Sequence, residues 1–72
     1  MKIKYDDKYD TMYIELKSSN FECRTIRLSD EIALNIGPDE ILVGIEILDA
    51  KKNVGDGMLP KVILENIELQ SV

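Results

Sequence analysis

The sequence predicts an α+β fold, a small antiparallel β-meander of about five strands with one short C-terminal helix. Residues 41–48 (ILVGIEIL) are the longest strongly apolar stretch and are rich in β-branched side chains, which favour a strand. Four other segments alternate polar and apolar residues with the period of a strand. Residues near the C-terminus instead place apolar side chains three and four positions apart, as on one side of a helix.

Residues 2–5 and 11–17 are predicted to form a hairpin, because both alternate and the acidic segment 6–10 between them favours a turn. The lysines of the first strand suit an edge position, where charge discourages stray pairing. In the second strand, Met12 and Ile14 point to the same face of the sheet. This face is expected to be buried.

Two further strands are predicted at 21–28 and 31–36. In the first of them each face carries one arginine, Arg24 or Arg27, so the alternation leaves open which face is buried. The second strand alternates cleanly and ends at the turn 37–40, where proline presets a backbone φ angle. This turn leads into residues 41–48, which we call the central strand.

The central strand is predicted to be covered on both faces, because both carry apolar side chains. The alternation places Ile41, Val43, Ile45 and Ile47 on one face, and Leu42, Gly44, Glu46 and Leu48 on the other. We therefore expect another layer of structure against this strand.

The C-terminal part of the chain is predicted to supply that layer. Residues 51–58 contain two glycines and two lysines, which indicates an exposed loop. Pro60 suits the first position of a helix, and the apolar spacing predicts a short helix over 59–69. Residues 1–72 are expected to form one domain, with the antiparallel sheet in residues 1–50.

Composition narrows the possible functions. The formal charge of −5 argues against binding nucleic acid and suits a basic protein partner. Cys23 is the only cysteine and there is no histidine, so neither an internal disulfide nor a histidine-containing zinc site is expected. A domain with a core this small is usually stabilised by disulfides, a metal or a partner subunit, so with the first two disfavoured we expect self-association as a dimer. Without a signal peptide or a membrane-spanning run, the expected location is the cytoplasm and no membrane partner is expected.

Three segments carry a resemblance to a known family. They are residues 2–6 (KIKYD), 10–16 (DTMYIEL) and 42–50 (LVGIEILDA). In this order they resemble the signatures of domain of unknown function 2283, a family of small bacterial and archaeal proteins. The chain departs from the family at the turn 35–38 and in its longer Gly-Asp-Gly loop. The resemblance implies no established activity, and some members lie beside genes for small toxins, which suggests an antitoxin-like role.

Several carboxylates are candidates for chemistry. A cation site could be formed by Asp6, Asp7, Asp10, Asp39 and Glu40, although the spacing is not that of an EF-hand and solvated turns explain it more simply. Glu15 and Glu46 could form an acid–base pair across neighbouring strands. For Glu46 we favour a structural salt bridge with Arg24 or Arg27.

The remaining candidates favour structural roles. Cys23 has no activating histidine and is expected to be a packed, unreactive thiol. The segment 55–57 lacks the lysine and serine of a phosphate loop. Gly44 is interpreted as the space filled by a larger neighbour, with Tyr13 the preferred one. The tyrosines at 5, 9 and 13 are expected at the edge of the core or at an interface rather than in a stacking platform for bases.

Three functional hypotheses remain. The first is a homodimeric interaction module that binds a basic protein partner in an antitoxin-like role. The second is a purely structural domain that self-associates. The third, an acidic metal-binding enzyme, is disfavoured because no histidine or paired nucleophile is present. No catalytic, metal-binding or cofactor-binding residue and no cofactor are predicted.

Overall fold

Five strands and one short helix make up the structure, a computed structural model that describes residues 1–18 and 20–66. The elements are β1 (Lys2–Asp6), β2 (Thr11–Glu15), β3 (Arg24–Arg27), β4 (Ile32–Ile36), β5 (Leu42–Ile47) and α1 (Ala50–Val54), with a 3₁₀ turn at Pro38–Glu40. The predicted fold class, a small antiparallel sheet with one short helix, is confirmed.

The strands lie in the order β1-β2-β5-β4-β3, and every neighbouring pair is antiparallel. The predicted central strand is therefore central, since β5 has two strands on each side. Strands β3, β4 and β5 follow one another as a meander, and the β1–β2 hairpin joins them by pairing β2 with β5. The chain between β2 and β3 thus passes from the second strand of the sheet to its far edge.

The strand register divides the sheet into an apolar face and a polar face, because directly paired residues share a face. The apolar face carries one charged residue, Arg24, and otherwise Ile3, Tyr5, Met12, Ile14, Ile26, Ile32, Leu34, Ile36, Ile45 and Ile47. The polar face carries Lys2, Lys4, Asp6, Thr11, Tyr13, Glu15, Thr25, Arg27, Ala33, Asn35, Gly44 and Glu46. The register also settles the facing of β3, because Ile26 pairs with Leu34 on the apolar face.

The core is small, and apart from Ile36 and Val43, which are buried toward the other end of β4 and β5, its main cluster lies at the end of the sheet beside α1. Met12, Ile47 and Ala50 form its buried cluster, and Tyr5, Ile14 and Ile45 pack partly buried against it. Among the described residues, no side chain larger than alanine is completely removed from solvent. The isolated chain therefore buries little apolar surface for its length.

The helix is present but not where the sequence predicted it. Helix α1 occupies Ala50–Val54, so the predicted loop 51–58 is wrong over its first four residues. Residues 59–66 form neither a helix nor a strand, so the predicted helix at 59–69 is wrong there, and its last three residues lie outside the described part. The helix predicted at 59–69 would be short enough to need a surface to pack on. In the structure, Leu59, Val62, Ile63 and Leu64 are instead exposed to solvent.

Candidate functional site

One end of the sheet collects carboxylates from three segments of the chain. The register brings the β1–β2 turn, the β3–β4 turn and the end of β5 together, because Met12 and Ile32 both pair with Ile47. The carboxylates of this acidic end are Asp6, Asp7, Asp10, Asp30, Glu31 and Asp49, and the same segments and α1 carry the cations Lys8, Arg27, Lys51 and Lys52. The acidic end therefore keeps an excess of negative charge.

Asp10 connects the β1–β2 turn to α1. Its carboxylate accepts hydrogen bonds from the Tyr5 hydroxyl at 2.8 Å and the Lys51 backbone N–H at 3.2 Å, and its carbonyl accepts the Ala50 N–H at 2.9 Å. These bonds satisfy helix N–H groups that have no partner inside the helix. The hydrogen bond to Asp10 raises the pKa of Tyr5, because loss of the phenolic proton would break it.

Glu31, Asp49 and Lys52 form an ionic cluster between the β3–β4 turn and α1. The Lys52 ammonium lies 2.8 Å from one Glu31 carboxylate oxygen and 3.9 Å from an Asp49 oxygen. The hydrogen bond with Asp49 and then the Lys52 ammonium lower the pKa of Glu31 to about 2. Glu31 in turn raises the pKa of Asp49, first because protonated Asp49 can donate a hydrogen bond to Glu31, and second because the two carboxylates repel when both are ionised.

Replacing Asp49 with asparagine is expected to raise the melting temperature at pH 7. The raised pKa means that ionised Asp49 disfavours the folded state at pH values above its folded-state pKa, whereas an amide can donate a hydrogen bond to Glu31 without charge. The left-handed backbone at this position, with φ at 48°, also suits asparagine. Differential scanning calorimetry between pH 3 and 8 measures the effect, which should shrink as the pH falls and Asp49 of the parent takes up a proton.

The matched control for Asp49→Asn is Asp39→Asn. Asp39 is exposed and has the same left-handed conformation, with φ at 59°. Its change removes one negative charge without touching the Glu31 cluster. A gain at Asp39 as large as that at Asp49, or a loss at Asp49, would contradict the repulsion between Asp49 and Glu31.

The carboxylates proposed for a cation site are not brought together. Asp6, Asp7 and Asp10 lie at the acidic end, whereas Asp39 and Glu40 lie in the 3₁₀ turn before β5, at the opposite end of the sheet. Within residues 1–18 and 20–66, no three His, Cys, Asp or Glu side chains are placed to hold a metal ion. Asp6 accepts the Lys8 backbone N–H at 2.9 Å, as turn residues do.

On the polar face, Tyr13 occupies the space above Gly44. A Cβ atom added at Gly44 would collide with the hydroxyl and ring of Tyr13. The Tyr13 hydroxyl accepts a hydrogen bond from the Asn35 side-chain amide at 3.1 Å, and the Thr25 hydroxyl donates to the Asn35 oxygen at 3.0 Å. The prediction that Tyr13 fills the gap above Gly44 is confirmed.

The predicted salt bridge of Glu46 with Arg24 or Arg27 is wrong. Both arginines lie on β3, and β4 separates β3 from the strand that carries Glu46. Arg24 instead pairs with Glu40. Within the described residues, no ion pair forms at Glu46.

Glu15 and Glu46 share the polar face but are not directly opposed. Glu15 pairs in the register with Gly44, and Glu46 pairs with Tyr13, so the two carboxylates are diagonal neighbours. The Lys4 ammonium lies 3.6 Å from Glu15. Glu15 therefore has a surface ion pair with Lys4, and the two acids do not face each other as an acid–base pair would.

Cys23 and the tyrosines also lie apart from one another. Cys23 is exposed just before β3, so the prediction of a packed thiol is wrong. It lines an open depression of about 400 Å³ beside Arg24 and Gly37. Tyr5 and Tyr13 lie on opposite faces of the sheet, and Tyr9 lies exposed in the β1–β2 turn, so the three rings form no shared platform.

The apolar face contains a continuous row of aliphatic side chains that crosses all five strands. The register pairs Ile3 with Ile14, Ile14 with Ile45, Ile45 with Leu34, and Leu34 with Ile26. Every member of this aliphatic row is partly or well exposed to solvent. Helix α1 covers the neighbouring row, where Ala50 meets Met12 and Ile47, and Ile14 and Ile45 of the aliphatic row pack against this cluster but remain half-exposed.

A second exposed apolar region follows α1. Residues 58–66, here called the C-terminal arm, contain Met58, Leu59, Val62, Ile63 and Leu64, whose exposed fractions range from 59% at Leu59 to 95% at Leu64. The arm leaves the helix through a turn in which the Gly55 and Gly57 N–H groups bond to the Lys51 carbonyl. The segment 55–57 is therefore the turn that ends the helix.

Comparison with known proteins identifies the family. The family described as Protein of unknown function (DUF2283) matches residues 2–51. The chain belongs to the DUF2283 family. The resemblance predicted from the sequence signatures is thereby confirmed. The comparisons found no match among curated proteins or solved structures.

The DUF2283 match includes all five strands and therefore the whole aliphatic row. It ends at the start of α1, so the C-terminal arm lies beyond the matched residues. Within the described residues, no helix has the length and apolar character needed to cross a bilayer.

Proposed function

We propose that this DUF2283 protein is an interaction module that works as a homodimer joined through the apolar face of its sheet. The observation that supports the proposal is the aliphatic row. Its five large side chains lie next to one another on successive strands across the sheet, and each of them is at least partly exposed to solvent. Contiguous exposed apolar surface of this kind marks interaction sites in soluble proteins.

The energetics of a small sheet favour the same proposal. A sheet with one apolar face needs a second layer against it, and the five residues of α1 cover only one end. A core of this size supplies only about 3–5 kcal/mol, so a partner subunit would add the missing burial. The proposal also assigns the protein to the cytoplasm, where the exposed Cys23 thiol would stay reduced.

Light scattering tests the dimer with two variants of neighbouring residues on β3. Ile26→Lys places a charge in the aliphatic row, whereas Thr25→Lys places the same charge on the polar face. The parent and Thr25→Lys are expected to show twice the mass of one chain at micromolar concentration. Ile26→Lys is expected to show the mass of one chain, because a buried unpaired ammonium disfavours the interface.

Two results would contradict the proposed dimer. One is a parent protein that stays monomeric at the highest soluble concentration. The other is equal dissociation of the dimer by Ile26→Lys and Thr25→Lys, which would show that the aliphatic row does not form the interface. Circular dichroism of each variant confirms that its strands are retained.

A second candidate function, binding of a basic protein partner, is supported by the charge of the acidic end. The acidic end also carries exposed apolar side chains, which belong to Tyr9, Leu28 and Val54. A cationic partner with apolar side chains would complement both features. Such binding would suit an antitoxin-like role, and it leaves the aliphatic row free for self-association. Pure self-association is the alternative, in which the acidic end has no partner.

Charge removal at the two ends of the sheet tests binding of a basic partner. Asp7→Asn with Asp30→Asn neutralises exposed carboxylates at the acidic end, and Glu22→Gln with Asp39→Asn removes the same charge at the opposite end. The probe is a fluorescent peptide of alternating lysine and leucine, measured by anisotropy in 50 and 200 mM salt. Weaker binding only in the first pair supports the candidate, and equal effects would contradict it.

A further inference from the structure

The aliphatic row and the C-terminal arm are two apolar elements of one chain that the described structure leaves apart. The row is only partly covered, since Ile3 is exposed and its other four members are half-buried, and the large apolar side chains of the arm are exposed. Five of the nine residues of the arm are large apolar side chains, with Val62, Ile63 and Leu64 in succession. Exposure of both elements in water is unfavourable, by roughly 25 cal/mol for each Å² of apolar surface.

The dimensions of the two elements match. The row crosses five strands, and neighbouring strands lie about 4.8 Å apart, so the row is about 19 Å long. The nine residues of the arm reach up to about 30 Å when extended. The arm can therefore lie along the whole row with residues to spare for the crossing between two chains.

The path of the arm favours packing on the aliphatic row of a second copy over packing on the row of its own chain. The Cα radius of gyration, 14.3 Å, exceeds the value of about 11 Å expected for a compact chain of this length. The arm begins beyond the helix end, where the Met58 N–H bonds to the Gly55 carbonyl, and its side chains stay exposed instead of folding back onto their own sheet.

We infer that the C-terminal arm of each protomer packs on the aliphatic row of its partner, so that two copies exchange arms. This inference rests on the proposed homodimer and specifies what covers its interface. Two-fold symmetry makes the contact reciprocal, so each protomer contributes both an arm and a row. The number of residues that each protomer would contribute from its arm and its apolar face approaches the roughly 20–30 residues per partner of a standard interface.

Substitutions in the arm of the full-length protein give the first test. Leu64→Lys replaces the most exposed apolar side chain of the arm, and Asn66→Lys adds the same charge at a polar arm position. Leu64→Lys is expected to raise the dimer dissociation constant about 10- to 100-fold for each arm, because a buried leucine is replaced by a charge. Asn66→Lys is expected to leave the dissociation constant within about threefold of the parent, as surface substitutions usually do.

Disulfide trapping shows which chain the arm reaches. Cys23→Ser removes the native thiol, and two further variants carry either Ile26→Cys in the row or Leu64→Cys in the arm. Mixing and mild oxidation should produce a covalent heterodimer of the two variants in preference to either homodimer. A single chain carrying both new cysteines should likewise yield linked dimers at micromolar concentration.

The outcomes separate this inference from the proposed function. If Ile26→Lys dissociates the dimer while Leu64→Lys does not, the sheets pack face to face, the homodimer stands and arm exchange is wrong. If the chain with both cysteines closes only an internal disulfide and stays monomeric, the arm covers its own sheet, and both ideas are wrong. Heterodisulfide formation with dissociation by Leu64→Lys supports both.

Discussion

Replacing Ile47 with alanine is expected to lower the free energy of unfolding by about 2–5 kcal/mol. Ile47 lies in the central strand, is only 5% exposed, and packs with Met12 and Ala50 in the buried cluster. A truncation there leaves a cavity under the one part of the sheet that α1 covers. Since the total stability of a domain this small is of similar size, most of the variant should be unfolded at 25 °C.

Urea denaturation followed by circular dichroism measures this loss. Leu28→Ala is the control, because Leu28 is an aliphatic residue in a turn and is 62% exposed. Its free energy of unfolding should stay within about 0.5 kcal/mol of the parent. Both variants and the parent are compared at one protein concentration, since the proposed dimer would make stability depend on concentration. An Ile47→Ala protein as stable as the Leu28→Ala protein would contradict the position of the core.

Replacing Gly44 with alanine is expected to cost about 1–3 kcal/mol, because the new methyl group enters space held by the Tyr13 ring. The displaced ring would also lose its hydrogen bond with Asn35. Urea denaturation again gives the free energy of unfolding, and the tyrosine fluorescence of the folded state reports on movement of the ring.

A double-mutant cycle isolates the contact between Gly44 and Tyr13. Tyr13→Ala removes the ring, so Gly44→Ala should cost much less in that background than in the parent. The coupling free energy is expected to be about 1–2 kcal/mol, as for residues in direct contact. Additive losses in the two backgrounds would show that Tyr13 does not occupy the space above Gly44.

The strands could be predicted because alternation is a local property of the sequence. Residues in β2 and β4 alternate cleanly, and the register places Met12 and Ile14 on one face as predicted. The strand order could not be obtained in this way, since alternation does not say which edges pair. Pairing of β2 with β5 is therefore visible only in the structure, and it explains why Glu46 meets Tyr13 and no arginine.

The position of the helix depends on contacts between distant residues. Ala50–Val54 is too short to show a helical pattern, and the Asp10 carboxylate that bonds its Lys51 N–H lies 41 positions away in the sequence. The spacing of apolar residues after Pro60 is real, but a short helix forms only when one side is buried. In the structure these residues instead form the C-terminal arm, whose large apolar side chains are exposed.

The candidate site was predictable in part. A glycine within an apolar strand indicates a space that a larger side chain fills, which sequence analysis can detect, whereas the pairing of β2 with β5 that places Tyr13 there is visible only in the structure. The structural role of Asp10 could not be predicted, because an acidic turn residue looks the same whether it is solvated or bonded to a helix. The aliphatic row likewise becomes a continuous surface only once all five strands are in register.

Isotope-filtered nuclear Overhauser spectroscopy on a mixture of labelled and unlabelled protein tests most directly whether a second chain covers the aliphatic row. The method detects only contacts between different chains. The methyl groups of Ile14, Leu34 and Ile45 should show such contacts with protons of a second chain, and those of Ile47 should show none. An absence of interchain contacts at all three row residues, in a sample whose mass is that of a dimer, would contradict our account.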